Sequence, residues 1–155
     1  MLKGIYTLVI TLTPSTTVRV GKLGNISFPQ GYYAYVGSAL NGLEARIDRH
    51  LKEDKLLHWH IDYFLQKAQI EEVVWGITDK HEECAIAGHH MQALLPVPRF
   101  GSSDCRCTSH LFFSGDKRYL RKTVRGGFAK RDLLCSAMDR PGITKALGEA
   151  GFIRT

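Results

Sequence analysis

The chain has 155 residues, of which 44% are hydrophobic and 23% charged, with a formal net charge of +6. This length suits one compact domain with its own core, and the composition excludes a disordered chain. No apolar run approaches the roughly 18 residues of a membrane-spanning helix, and the start Met1-Leu2-Lys3-Gly4 lacks the apolar region of a secretory signal, so the expected location is the cytoplasm.

The charge is unevenly spread. Residues 1–115 carry 11 basic and 11 acidic side chains and residues 116–155 carry 10 and 4, so the whole excess lies in the last 40 residues. All seven histidines fall between positions 50 and 110, which marks the middle of the chain for chemistry or metal. The four cysteines form no C-x-x-C pair, and reduced thiols are expected rather than disulfides.

In chain order, Gly4 to Leu12 is rich in β-branched and aromatic residues and reads as a buried strand ending at Thr13-Pro14. Thr17 to Val20 and Ile26 to Phe28, joined through Gly21 and Gly24, read as a short hairpin. Tyr32 to Gly37 is an aromatic strand expected to pair antiparallel with the first. Asn41 and Glu44 have capping-box spacing, which predicts a helix from about Gly42 to Glu53 with Leu43, Ile47 and Leu51 buried and Arg46 and His50 along the edge of that stripe. A second helix is expected over Leu57 to Lys67, a strand over Ile70 to Ile77, and a third helix from a capping box at Asp79 and Glu82 to about Leu95. On the wheel of that helix Glu83 falls among Ile86, Ala87, His90 and Leu94, so a carboxylate points where the apolar stripe should be. The polar loop Gly101 to His110 leads to a last strand, Leu111 to Phe113, and residues 116–155 read as a basic helical extension ending in a helix at Ile143 to Ala150. The expected fold is therefore α/β: a small, mainly antiparallel central sheet flanked by helices over residues 1–115, with a C-terminal basic helical appendage over residues 116–155.

Gly4-Ile5-Tyr6, the strand Tyr35-Val36-Gly37-Ser38-Ala39 and the following helix with Arg46 and His50 resemble the GIY-YIG endonuclease superfamily. Gly31-Tyr32-Tyr33, His58-Trp59-His60-Ile61-Asp62-Tyr63 and Asp104-Cys105-Arg106-Cys107 resemble its Uri branch, relatives of which occur fused to base-excision repair enzymes. The resemblance covers roughly residues 3–114. It implies a metal-dependent DNA endonuclease, with DNA repair as the expected setting, Tyr6, Tyr35, Arg46 and His50 as catalytic residues and Glu83 as ligand of one Mg²⁺ or Mn²⁺. Gly4, Gly37, His58, His60, Asp62 and His110 would support the site. DNA is the implied partner, with no membrane and no organic cofactor. The two tyrosines stand 29 positions apart, farther than in the superfamily pattern, and the family's Asn after the Glu helix has no counterpart, leaving Asp104, Ser109 or His110 in that stretch.

The chemistry gives these residue types a reason. Phosphodiester hydrolysis needs a deprotonated water, positive charge on the phosphoryl oxygens and help for the departing oxygen. Arg46 would clamp an oxygen through its planar fork, and a tyrosine, Tyr6 or Tyr35, would take the water's proton if Arg46 and a metal lowered its pKa. His50 would accept that proton or hold a tyrosine. Lys117, Arg118, Arg121, Lys122 and Arg125 are the expected phosphate contacts, and removal of residues 116–155 is expected to weaken DNA binding more than it harms the catalytic geometry.

Two other function classes are compatible with the sequence. One is a nucleic-acid-binding module that keeps the fold without cutting. The other is a metallohydrolase using His58, His60 and Asp62, although on a helix i and i+2 side chains diverge and His58 with Asp62 is better read as a structural hydrogen bond. Cys105, Cys107 and His110 with Cys84 would enclose a zinc, but C-x-C is not the usual knuckle spacing, and buried thiols are the expected reading. His89 and His90 are expected at one exposed and one sheltered helix position.

Overall fold

A computed structural model describes residues 2–139. Nine residues from Gly4 to Leu12 form β1, and alternation along it divides the interior into two cores. Tyr6, Leu8, Ile10 and Leu12 point to one face of the sheet, and Ile5 and Val9 to the other. β1 is central because both faces are apolar; every one of these side chains is 0–1% exposed.

The remaining strands are β2 (Thr16–Arg19), β3 (Asn25–Phe28), β4 (Gly31–Ala39), β5 (Gln69–Ile77), β6 (Leu95–Pro96), β7 (Leu111–Ser114) and β8 (Cys135–Asp139). Five of them join β1 in one sheet in the order β6-β7-β4-β1-β5-β8, and every neighbouring pair is antiparallel. β2 and β3 form a separate hairpin. The helices are α1 (Leu43–Leu51), α2 (His60–Phe64), α3 (Glu83–Met91) and α4 (Lys117–Lys130). On the first face Leu43 and Ile47 of α1, Ile61 and Phe64 of α2, and Val18 and Phe28 of the hairpin close the core. On the second, Ile86 and Ala87 of α3 and Leu120, Val124 and Phe128 of α4 do the same. The protein is thus an α/β domain with a central antiparallel sheet between two helical layers.

Several elements differ from expectation. Asn41 does not cap α1: it is exposed, Gly42 occupies the cap with φ 122°, and the first helical N–H, of Leu43, donates to Leu2 O at 2.8 Å instead. Asp79 does not open α3, which starts four residues later at Glu83, because Thr78 Oγ1 accepts the Lys80 N–H and the Glu82 carboxylate reaches across to Arg131 at 2.6 Å. α2 is five residues rather than a full amphipathic helix; Leu56, 90% exposed, belongs to the irregular stretch before it.

Residues 117–139 are not an appendage. α4 is capped by Asp116, whose side chain accepts the Tyr119 N–H, and its apolar i, i+4, i+8 stripe of Leu120, Val124 and Phe128 completes the second core. β8 then joins the sheet against β5. Cutting the chain at 115 would open that core, so the expected separation of DNA binding from catalytic geometry by truncation does not apply. The helix expected at 143–150 lies outside the described residues.

Candidate functional site

The register of β1 against β4 sets Tyr6 directly opposite Gly37, and Gly4 opposite Ala39. Both glycines have a steric reason. A Cβ on Gly37 would sit 2.3 Å from Tyr6 Cζ and Oη, and one on Gly4 would sit 2.3 Å from Gly76 O. The phenol of Tyr6 therefore lies across Gly37, and its hydroxyl meets His50 Nε2 from α1 at 2.6 Å in a fully buried contact.

Burial pushes the His50 imidazole down to about 3, with the Lys55 charge adding to the effect, so the ring is neutral. Tyr6 is shifted in the opposite sense: burial raises its phenol well above the ordinary range, although the charge and hydrogen bond of Arg46 pull it down. Tyr6 is therefore a phenol at rest, because desolvation outweighs one guanidinium; the depression expected of Arg46 acting together with a metal concerns the metal-loaded site. In the tautomer that carries its proton on Nδ1, His50 accepts the Tyr6 hydroxyl at Nε2; Nδ1 has no partner among the described residues. Tyr35 stands edge-on to His50 with ring centroids 6.1 Å apart, and burial, then Tyr6 and Glu83, raise its phenol also.

Arg46 is held from behind. Its Nη1 donates to Ser38 O at 3.1 Å, and its guanidinium lies 4.5 Å from the centre of the Trp59 ring. Arg49 covers the same ring at 4.3 Å and forks onto both oxygens of Asp62 at 2.8 and 2.9 Å. The Asp62 carboxylate is wholly buried and also accepts the backbone N–H groups of His58 and Trp59; burial alone would raise its pKa, but Arg49 and these N–H groups hold it below the usual carboxylate value. Trp59 and Arg49 are positioning residues that the sequence reading missed, although Arg49 stands one helical turn from Arg46 and Trp59 lies between the two noted histidines.

The His-x-His-x-Asp triplet is engaged elsewhere. His58 is exposed and meets Asp62 through its backbone rather than its ring. His60 Nδ1 accepts the Gly101 N–H at 2.9 Å, pinning the 101–110 loop to α2. With Asp62 saturated by Arg49, these three residues do not converge on a metal.

Glu83, the first residue of α3, is 31% exposed and within electrostatic reach of both Tyr6 and Tyr35. Its Oε2 lies 3.4 Å from His110 Nδ1. The other nitrogen of His110, Nε2, lies 3.3 Å from Cys105 Sγ, and the ligand atoms of Cys84, Cys105, Cys107 and His110 all fall within 4.8 Å of one another, a group that could hold a metal ion. All four cysteines of the chain are free thiols. His90 is fully buried, the sheltered position expected, whereas His89 is half-buried rather than exposed.

Of the five expected phosphate-binding cations, three are already paired: Lys117 with Glu71, and Arg121 and Arg125 with Glu72 at 3.1 and 3.4 Å. Arg118 and Lys122 are exposed and without an ionic partner among the described residues.

Residues 5–132 match a family model described as domain of unknown function DUF123, and the chain belongs to that family. No curated protein and no solved structure matches it. No helix among the described residues is long and apolar enough to cross a membrane.

Proposed function

We propose that the domain is a metal-dependent endonuclease of the GIY-YIG type, Uri branch, that hydrolyses DNA phosphodiester bonds. The observation that carries this reading is the convergence, from the three elements β1, α1 and α3, of Tyr6, His50, Arg46 and Glu83 around one end of the β1–β4 pair. Glu83 fits a hard divalent cation, since it offers carboxylate oxygens on a partly exposed side chain, and Mg²⁺ or Mn²⁺ is commonly held by one or two carboxylates with water and substrate phosphate completing the shell. When bound, such an ion supplies positive charge to a phosphate oxygen and to the leaving oxygen.

The residues of the chain do the rest. Arg46, fixed by Trp59 and Ser38, clamps a second phosphate oxygen. Tyr6 takes the proton of the attacking water at Oη while passing its own proton to His50 Nε2, so no buried phenolate need form at rest. The water oxygen bonds to phosphorus, the bond to the leaving oxygen breaks, and that oxygen takes a proton from solvent. His50 is a weak base in the free protein, and the negative charge of a docked phosphate raises its basicity. Tyr6 serves as this relay better than Tyr35, because Tyr6 holds the hydrogen bond to His50.

Nicking of supercoiled plasmid in Mg²⁺ or Mn²⁺ tests this reading. Wild-type protein is expected to nick, and Arg46→Ala and Glu83→Gln to lose roughly 100- to 1,000-fold in rate, with DNA binding retained in Glu83→Gln. Binding without cutting under every divalent metal would replace the enzyme with a nucleic-acid-binding module, for which the exposed Arg118 and Lys122 supply the contacts.

A further inference from the structure

We infer that Cys84, Cys105, Cys107 and His110 form a structural Zn²⁺ site that ties the 101–110 loop to the start of α3 and, through His110, orients Glu83. Zinc binding stands on this cluster alone; only its consequence for cleavage rests on the nuclease reading.

The donor set decides the metal. Three sulfurs and one imidazole nitrogen make a soft Cys₃His site, which suits zinc and not the hard cations suited to Glu83. In a tetrahedron with Zn–S bonds of about 2.3 Å the sulfurs stand about 3.8 Å apart. Four donor atoms already within 4.8 Å need to close by about an ångström at most. The donors come from three places in the chain: Cys84 near the start of α3, Cys105 and Cys107 in the loop, and His110 where the loop enters β7. Binding would displace the thiol protons to give three thiolates and a neutral imidazole.

The orientation of His110 is that of a zinc ligand. Nε2 faces the sulfur of Cys105, while Nδ1 lies 3.4 Å from Glu83 Oε2 and 3.3 Å from Val36 O. An Nδ1–H directed to a carboxylate and a carbonyl leaves the Nε2 lone pair for the metal, the arrangement in which a carboxylate fixes the tautomer and angle of a ligating histidine. In the reverse direction, a ligated His110 holds the Glu83 carboxylate, and ligated Cys84 anchors the residue next to it.

The loop also requires an explanation that its composition does not give. Its ends are tied by His110 N–H to Phe100 O at 2.8 Å and by Arg99 N–H to Thr108 O at 2.8 Å. Between them, Gly101 to Thr108 contains no apolar side chain apart from the two cysteines, so hydrophobic burial cannot order it. A closed metal site does so with four bonds.

The test uses full-length protein purified under reducing conditions. Elemental analysis is expected to give about one zinc per chain, and exchange to Co²⁺ to give the visible bands and thiolate charge-transfer absorption of a tetrahedral sulfur-rich site. Cys107→Ser is expected to lose both, and Glu83→Gln to keep its zinc. Should Cys107→Ser fail to fold, removal of zinc from wild-type protein with a thiol-reactive mercurial, then reduction and zinc return, replaces it; the melting temperature is expected to fall and recover. Reduced wild-type protein that neither carries nor takes up zinc overturns the site, as does iron in its place. Zinc retained in Cys107→Ser, or lost in Glu83→Gln, also overturns it. If zinc is bound as described but the loaded protein never nicks DNA, the nuclease reading fails while the zinc site stands.

Discussion

On the face of the sheet covered by α1, α2 and the hairpin, buried polar groups occur in partnered sets. Tyr6 meets His50, and Asp62 meets Arg49 and two backbone N–H groups. On the face under α3 and α4, the fully buried His90 has no partner for either ring nitrogen, and the ion pairs lie at the rim, between α4 and the carboxylates of β5. The first face uses desolvation to hold the Tyr6–His50 pair and the Arg49–Asp62 pair, with Arg46 and Arg49 stacked on the Trp59 ring beside them. The second closes a core and sets its ion pairs at the edge of α4, where the arginines are half-exposed and the Glu72 carboxylate they share is buried.

Gly37→Ala tests the first face most severely. The new methyl meets the Tyr6 ring on a central pair of strands, so either the ring leaves His50 or the strands separate. A loss of about 3 kcal/mol in urea unfolding is expected, together with loss of nicking in whatever fraction remains folded. Unchanged stability would mean that Tyr6 has an alternative position and that the glycine is not there to admit it.

Asp62→Ala should follow in magnitude. It removes the acceptor for Arg49 and for the N–H groups of His58 and Trp59, and breaking a fully buried pair costs about 3–5 kcal/mol. Arg49 is 28% exposed and can turn toward water, which reduces the expected loss to about 2–3 kcal/mol. Arg46 should then lose the rigidity of its Trp59 support, so nicking should fall more than binding. Equal losses of the two would mean that Arg46 keeps its position without Asp62.

The difference between the faces also explains how much of the molecule could be read in advance. Glycines opposite or beside a tyrosine, followed by a helix with Arg46 and His50 one turn apart, are local patterns, and they placed β1, β4 and α1 and much of the site. Glu83 stood out because a carboxylate interrupted an apolar stripe. α4 was obscured by its own cations: Lys117, Arg118, Arg121, Lys122 and Arg125 dominate the composition, and the stripe of Leu120, Val124 and Phe128 that docks the helix lies between them. The Asn41 and Asp79 caps failed because backbone partners distant in sequence or neighbouring side chains took their role, which local spacing does not record. Cys84 lies 21 positions before Cys105, and only the packing of α3 beside the entry to β7 brings them together.

The smallest effect concerns the two buried neutral histidines, His50 and His90, whose rings burial lowers to about 3 from the ordinary 6.5. A base with a depressed folded pKa is protonated in the unfolded chain first, so its contribution is present above pH 6.5 and is lost as pH falls below it. The slope is about 1.4 kcal/mol per pH unit for each histidine, or about 2 kcal/mol each by pH 5. His90→Leu should remove half of this decline, measured as the change in unfolding free energy between pH 6.5 and pH 5 relative to wild type, because carboxylates common to both proteins cancel. It should also be neutral or stabilising at pH 7.5, since both ring nitrogens lack partners and a leucine leaves nothing unsatisfied. A variant that loses stability as steeply as wild type would show that His90 reaches solvent and titrates normally, and the desolvation assigned to it on the second face would be wrong.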